Sequence, residues 1–231
     1  GRASVVNSLA LSPGSELLCV ASSEGGVQLW EIRTGRRQRI MHGHSGYIRN
    51  ATFSSDGRSL VTASDDGTAH HWNVATGELR RTISSPTGPR GFALVLPGGK
   101  TVLFGRFDGT QTLWDADDGT VRLSINAGPS ASVRSSPDGS LLLIVASTGV
   151  ANLWDTRTDE IRHTLRGVPN SAPAVFSGDN STLLADRTVW DTSTGEVRHI
   201  LQGHANPVTG VAIDGDGSSL VAGYLDGTVQ I

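Results

Sequence analysis

Several short stretches carry residue types that do chemistry in the right setting. Gly99-Lys100-Thr101 has the ending of a phosphate-binding loop, in which backbone amides and a lysine cradle phosphate oxygens. The earlier glycine that such a loop needs is replaced by Leu94, and the flanking residues suit a hairpin, so a plain turn is expected. Asp214-Gly215-Asp216-Gly217-Ser218 sets carboxylates at alternate positions, as a calcium loop does. Ser219 and Leu225 stand where that loop requires glycine and a bidentate glutamate, so a tight turn is expected here too. His70 and His71 are neighbours on a strand-like segment and point to opposite faces, which keeps them from ligating one metal; the expectation is one core-facing and one exposed imidazole. Cys19, between Leu18 and Val20, reads as a buried, unreactive thiol. No catalytic residue, metal or cofactor is implied by any of these.

The elements that position these residues are set by turns. Glycine supplies 29 of 231 residues, well above an average usage of roughly 7%, while the 37% hydrophobic content can still fill a core. That combination excludes collagen-like and disordered chains. The longest purely apolar run, Leu141 to Ala146, is far too short for a membrane helix. The five tryptophans fall at Trp30, Trp72, Trp114, Trp154 and Trp190, a repeat of about 40 residues. Glu31, Asn73, Asp115, Asp155 and Asp191 follow them, and each precedes a turn such as Ala75-Thr76-Gly77 or Ser193-Thr194-Gly195. A second turn series runs from Ser12-Pro13-Gly14 and Ser55-Asp56-Gly57 to Asp214-Gly215-Asp216-Gly217, and its six members mark six units. Between the turns lie short runs rich in Val, Leu, Ile and Thr, which predict a four-stranded antiparallel meander in each unit and no sustained helix. The units span about 1–41, 42–83, 84–125, 126–165, 166–201 and 202–231 of one domain. One small sheet cannot cover both its faces, so the units must stack face to face, and radial stacking makes an all-β β-propeller.

In unit two, Gly43-His44, Phe53-Ser54-Ser55-Asp56-Gly57, Ser64-Asp65-Asp66-Gly67-Thr68 and Trp72-Asn73 resemble the tryptophan-aspartate (WD) repeat family almost position by position. The resemblance extends over nearly the whole chain. It implies a structural hydrogen-bonded set of His44, Thr62, Asp66 and Trp72, with Trp30, Trp114, Trp154 and Trp190 in the cores of the other blades. The Thr, His, Asp grouping has the residue types of a hydrolase triad, but no oxyanion-binding loop accompanies it. Corresponding positions hold Val20 and Glu24 in unit one, Phe104 and Asp108 in unit three, and Ile144 and Thr148 in unit four, so those blades are expected to rely on apolar packing. A tryptophan placed after Asp226 as Trp72 follows Asp66 would fall just past Ile231, so the sixth unit is truncated. With Met41 the sole methionine, the expectation is a piece of a larger regulatory or signalling protein whose ring closes with further units.

The net charge of −3 gives no general attraction to nucleic acid or anionic lipid. An arginine column, Arg80, Arg122, Arg162 and Arg198 with Gln38 in unit one, reads as solvated guards of the outermost strand, a nucleic-acid groove being the alternative. Members of the family mostly serve as rigid platforms, so the resemblance implies a non-catalytic scaffold for a protein or peptide, with no cofactor and no membrane. The alternatives are a polyanion-binding propeller and, further off, a propeller enzyme. The docking face it implies would hold Tyr47, Arg49, Asp65, Arg90, Phe107, Ser147, Thr209 and Leu225. The absence of a signal peptide and the single cysteine point to the cytoplasm.

Overall fold

A computed structural model describes residues 5–84, 91–106, 108–128, 132–169, 173–202 and 206–231, with Gly91 and Phe92 described as backbone only. The described residues form strands and turns without a helix. Sheet one contains β1 (Val6–Leu11), β2 (Leu17–Ser22), β3 (Gly26–Glu31) and β4 (Arg36–His42). Sheet two contains β5 (Ile48–Phe53), β6 (Ser59–Ser64), β7 (Thr68–Asn73) and β8 (Leu79–Ser84), and sheet three β9 (Gly91–Val95), β10 (Thr101–Arg106), β11 (Thr110–Asp115) and β12 (Val121–Asn126). Sheet four contains β13 (Ser132–Ser135), β14 (Leu141–Val145), β15 (Val150–Asp155) and β16 (Glu160–Arg166). Sheet five contains β17 (Ala174–Phe176), β18 (Thr182–Ala185), β19 (Thr188–Asp191) and β20 (Val197–Ile200). Sheet six has three strands, β21 (Val208–Ile213), β22 (Leu220–Tyr224) and β23 (Val229–Gln230). Every sheet is an antiparallel meander in chain order.

Local chemistry explains the turns. The residue after each tryptophan is Asp or Asn in four sheets because its side chain caps the turn that follows: Asn73 Oδ1 accepts from the Ala75 and Thr76 amides, and Asp191 Oδ1 from the Ser193 and Thr194 amides. At the opposite end, the Ser54, Ser136 and Ser177 hydroxyls accept the Ser59, Leu141 and Thr182 amides, which pins each β-hairpin.

The chain gathers into two compact units, Gly1–Asn126 and Ala127–Ile231. In the first, sheet two is sandwiched. Trp72 and Leu60 pack with Val27, Leu29 and Ile48, while Val61, Ala63 and Ala69 pack with Ala93, Val95, Val102 and Phe104 on the other face. In the second unit, Leu141, Leu143 and Leu153 pack against Phe176, Leu183 and Trp190, and Leu184 and Val189 against Val208, Ala222 and Tyr224. A sheet covered on both faces buries consecutive strand residues. His70 and His71 are accordingly both buried, which corrects the expectation of one exposed imidazole.

The pairing of the third and fourth strands slips by one residue at every tryptophan, in sheets one to five. The extra residue is always on the outer strand: Gln38, Arg80, Arg122, Arg162 and Arg198. This bulge is where the tryptophans sit. Trp72 and Trp190 are buried, but Trp30, Trp114 and Trp154 are half-buried at the sheet margin, so they are less completely core residues than their spacing implied.

Candidate functional site

Sheet two holds the densest polar cluster. His44 Nδ1 lies 3.1 Å from Asp66 Oδ2 and its Nε2 lies 2.8 Å from Thr62 Oγ1. The Trp72 indole N–H donates to the same Thr62 oxygen at 2.9 Å. The Ser45 amide and the Thr68 hydroxyl and amide also donate to Asp66. Burial pushes the Asp66 carboxyl up, but these donors and His44 outweigh it and hold it at about 2. The His70 ring stacks on His44 with centroids 3.8 Å apart. Burial, and next the neighbouring His44, lower the His70 pKa to about 4. The His44 and Thr62 side chains are sealed from solvent. Thr62 Oγ1 is engaged from two sides, so a triad-like set of distances meets no path for a substrate.

The corresponding hydroxyl is missing from the next three sheets, where Phe104, Ile144 and Ala185 occupy the position of Thr62. The physical consequence is visible: the Trp114, Trp154 and Trp190 Nε1 atoms are buried without a partner. In sheet three, Asp108 bonds instead to Arg106 and the Thr110 amide.

Among the proposed docking residues, Tyr47, Arg49 and Asp65 come together on the surface of sheet two. Arg49 is the extra residue of a bulge in β5, which re-aims its side chain. Its Nε donates to both Asp65 oxygens at 2.8 Å, and its guanidinium lies 5.6 Å from the Tyr47 ring centroid. Hydrogen bonding to Asp65, and then its charge, raise the Arg49 pKa, so the cation is permanent. In the second unit Ser147, Thr209 and Leu225 are all exposed; Thr209 occupies the equivalent bulge in β21 and Leu225 precedes Asp226 as Asp65 precedes Asp66. Arg90 and Phe107 lie outside the described residues.

The arginine column is tied back to the protein while Arg80, Arg162 and Arg198 stay exposed. Arg80 and Arg122 donate to the Ser59 and Thr101 hydroxyls, Arg162 to Asp155, and Arg198 to Thr182 and Asp191. Bulging the outer strand turns the guanidinium across the neighbouring strands, where hydroxyl and carboxylate partners stand. Residues one step further along the outer strand clasp the next sheet. Arg39 donates to the Ala75 and Thr76 carbonyls, and His163 bonds the Ser193 carbonyl at 2.9 Å. Sequence reading gave the clasp no role; its only signal was the regular recurrence of Arg39, Arg81 and His163 beside the column. The turn at Gly99-Lys100-Thr101 joins β9 to β10, and that at Asp214 joins β21 to β22, with Ser218 donating to Asp214. Cys19 is fully buried, and burial raises its thiol to about 12. Among the described residues no group of three or more His, Cys, Asp or Glu side chains is placed to hold a metal.

A family model described as "WD domain, G-beta repeat" matches at residues 1–31, 35–73 and 195–231. No curated protein matches the chain. The matched stretches include every strand of sheets one and six, β5 to β7 of sheet two and β20 of sheet five, and the unmatched middle contains the three tryptophans whose indoles have lost their hydroxyl partner. Six consecutive antiparallel meanders of the blade type, an Asp or Asn after four of the five tryptophans and these three matches support a WD-repeat family for the chain, a family whose members generally act as scaffolds for protein–protein interaction.

Proposed function

We propose that the chain is a non-catalytic docking platform for a protein or peptide partner, engaged through Tyr47, Arg49 and Asp65. The observation that carries this reading is the arrangement of those three side chains. Tyr47 is 52% exposed, and Arg49 is held over its ring by Asp65. Tyrosine and arginine dominate binding energy at interfaces, and a pair already held in place loses little conformational freedom when a partner arrives. The non-catalytic reading is supported by the enclosure of Thr62 and His44 and by the competing indole bond to Thr62. A continuous polyanion groove along the outer column is disfavoured because Arg162 and Arg198 are ion-paired to Asp155 and Asp191 within the protein.

The test is a partner captured from the native host and then purified. Replacing both anchors, Tyr47→Ala with Arg49→Ala, is expected to weaken its binding about 30-fold, equivalent to ~2 kcal/mol. The melting temperature should stay close to that of the parent, since both side chains are exposed. Unchanged affinity in this double variant would remove the patch from consideration.

A further inference from the structure

We propose that a cleft between the turns of sheets two and three binds a phosphate group carried as a monoester, through Arg58, Arg80 and Lys100. It lies at the opposite strand ends from the Tyr47 patch and goes beyond the docking role. The cleft has a volume of about 520 Å³, which exceeds a bare phosphate and leaves room for the group that carries it.

Three turns build its walls, and each is fixed before any ligand arrives. Ser54 pairs with Gly98 in an isolated parallel bridge that joins the β5–β6 turn to the β9–β10 turn. Gly99 has φ 71°, and a Cβ there would sit 3.1 Å from the Ser54 amide nitrogen, so glycine is what allows the two turns to approach so closely. The third turn is attached by the Ala116 amide, which donates to the Lys100 carbonyl at 2.9 Å.

The charge of the cleft is not inherited from the repeat. Arg58 and Lys100 occupy one turn position in neighbouring sheets, and the same position holds Glu16, Ser140, Ser181 and Ser218 in the other four. Lys100 is also the only lysine in the chain. The corresponding hollow of sheet one is lined by Glu16, Glu31 and Arg33, with an excess of negative charge. Arg80, one of whose N–H groups donates to Ser59, and Ser55 complete the lining of the cleft. Two carboxylates are present as well. Asp56 is already committed to the Ser54 hydroxyl and the Arg58 amide, and Asp117 is largely exposed, 3.9 Å from His71 Nδ1. Three cations against two carboxylates leave an excess positive charge for a group carrying about −1.5 to −2 at neutral pH.

The second, independent observation is His71, which lines the cleft from within. Its Nδ1 lies 3.0 Å from the Ala116 carbonyl and donates to it, while its Nε2 is buried without a partner. Leu29, Leu113, Leu153 and Val189 fill the same position in the other sheets that have one. An imidazole there leaves a buried acceptor without a partner where the equivalent positions carry apolar side chains, and this polar substitution sits at the wall of the cleft.

The lone lysine supplies the test. Reductive ¹³C-dimethylation labels Lys100 and the N-terminal amine, which resonate apart, and the lysine signal is followed by NMR during titration with O-phosphoserine. Inorganic phosphate is the second ligand, and L-serine with sodium chloride at matched ionic strength is the control. A saturable shift is expected with O-phosphoserine, at lower concentration than with inorganic phosphate. Arg58→Gln, at an exposed turn residue, should weaken it about tenfold. Calorimetry on the unmodified protein should show the same order of affinities. A shift no larger than that of the salt control, or an affinity unaltered in Arg58→Gln, overturns the proposal. Inorganic phosphate binding as tightly as O-phosphoserine overturns the assignment to a monoester. Because the Tyr47 patch is untouched by Arg58→Gln, either reading can fail without the other.

Discussion

The stacked imidazoles of His44 and His70 make sheet two sensitive to acid. Both rings have lowered pKa values, His70 through burial and then the nearby His44, and His44 through burial opposed by Asp66. An unfolded chain takes up these protons near 6.5, whereas folded His70 waits until about 4. The unfolded state therefore binds more protons between these values, so stability is complete above pH 6.5 and falls as pH drops toward 4. Asp66, held at about 2, adds a further loss below the ordinary carboxylate range. Melting temperature should thus decline steadily from pH 7 to pH 4.5, and His70→Gln should flatten that slope because no proton remains to be taken up there. An equally steep slope in His70→Gln would place the acid sensitivity elsewhere. The hydrogen-bonded set around Thr62 could be named from resemblance to the family, since each member is a residue type at a fixed place in the repeat. The imidazole stack could not, because ring geometry depends on side-chain angles that no spacing reports.

At the level of the strand and its turn, the clasp between neighbouring sheets sets the tolerance for change. Gly195 has φ 73°, and a Cβ added there would meet the His163 ring at 2.6 Å, where the imidazole is held by its bond to the Ser193 carbonyl. Gly14 has a similar φ of 82° with open space around it. Gly14→Ala therefore measures the backbone cost alone, about 1 kcal/mol. Gly195→Ala adds a steric conflict and should cost at least about 1 kcal/mol more, read as a larger drop in the thermal midpoint. Equal drops would show that the clasp yields freely. The turns themselves were legible in the sequence, because Gly, Asp, Asn and Ser announce them by composition. The bulge at each tryptophan was not, and it decides where the arginine column goes. A regular strand would have aimed Arg162 and Arg198 outward, whereas the extra residue brings them onto Asp155 and Asp191.

Across the molecule, protection should follow the sandwiching of each sheet rather than position along the chain. β6 and β14 are buried nearly throughout, while β20 is exposed along its length. Native-state hydrogen exchange should accordingly be slowest for amides of Leu60–Ala63 and Leu141–Val145 and fast in Val197–Ile200. Uniform protection across the four strands of a sheet would contradict this picture. The sequence by itself determined the six meanders, the strand and turn order and the family resemblance, because each of these is written in local residue types that recur at one interval. Only the tertiary structure decided that His70 and His71 are both buried, that Trp30, Trp114 and Trp154 stay half-buried, that the Trp114, Trp154 and Trp190 indoles are buried without a partner, that Arg49 is locked between Tyr47 and Asp65, and that Lys100 shares a cleft with Arg58. Those outcomes depend on which neighbouring sheet covers a face and where a strand slips by one residue, and both are set by contacts between segments far apart in the chain.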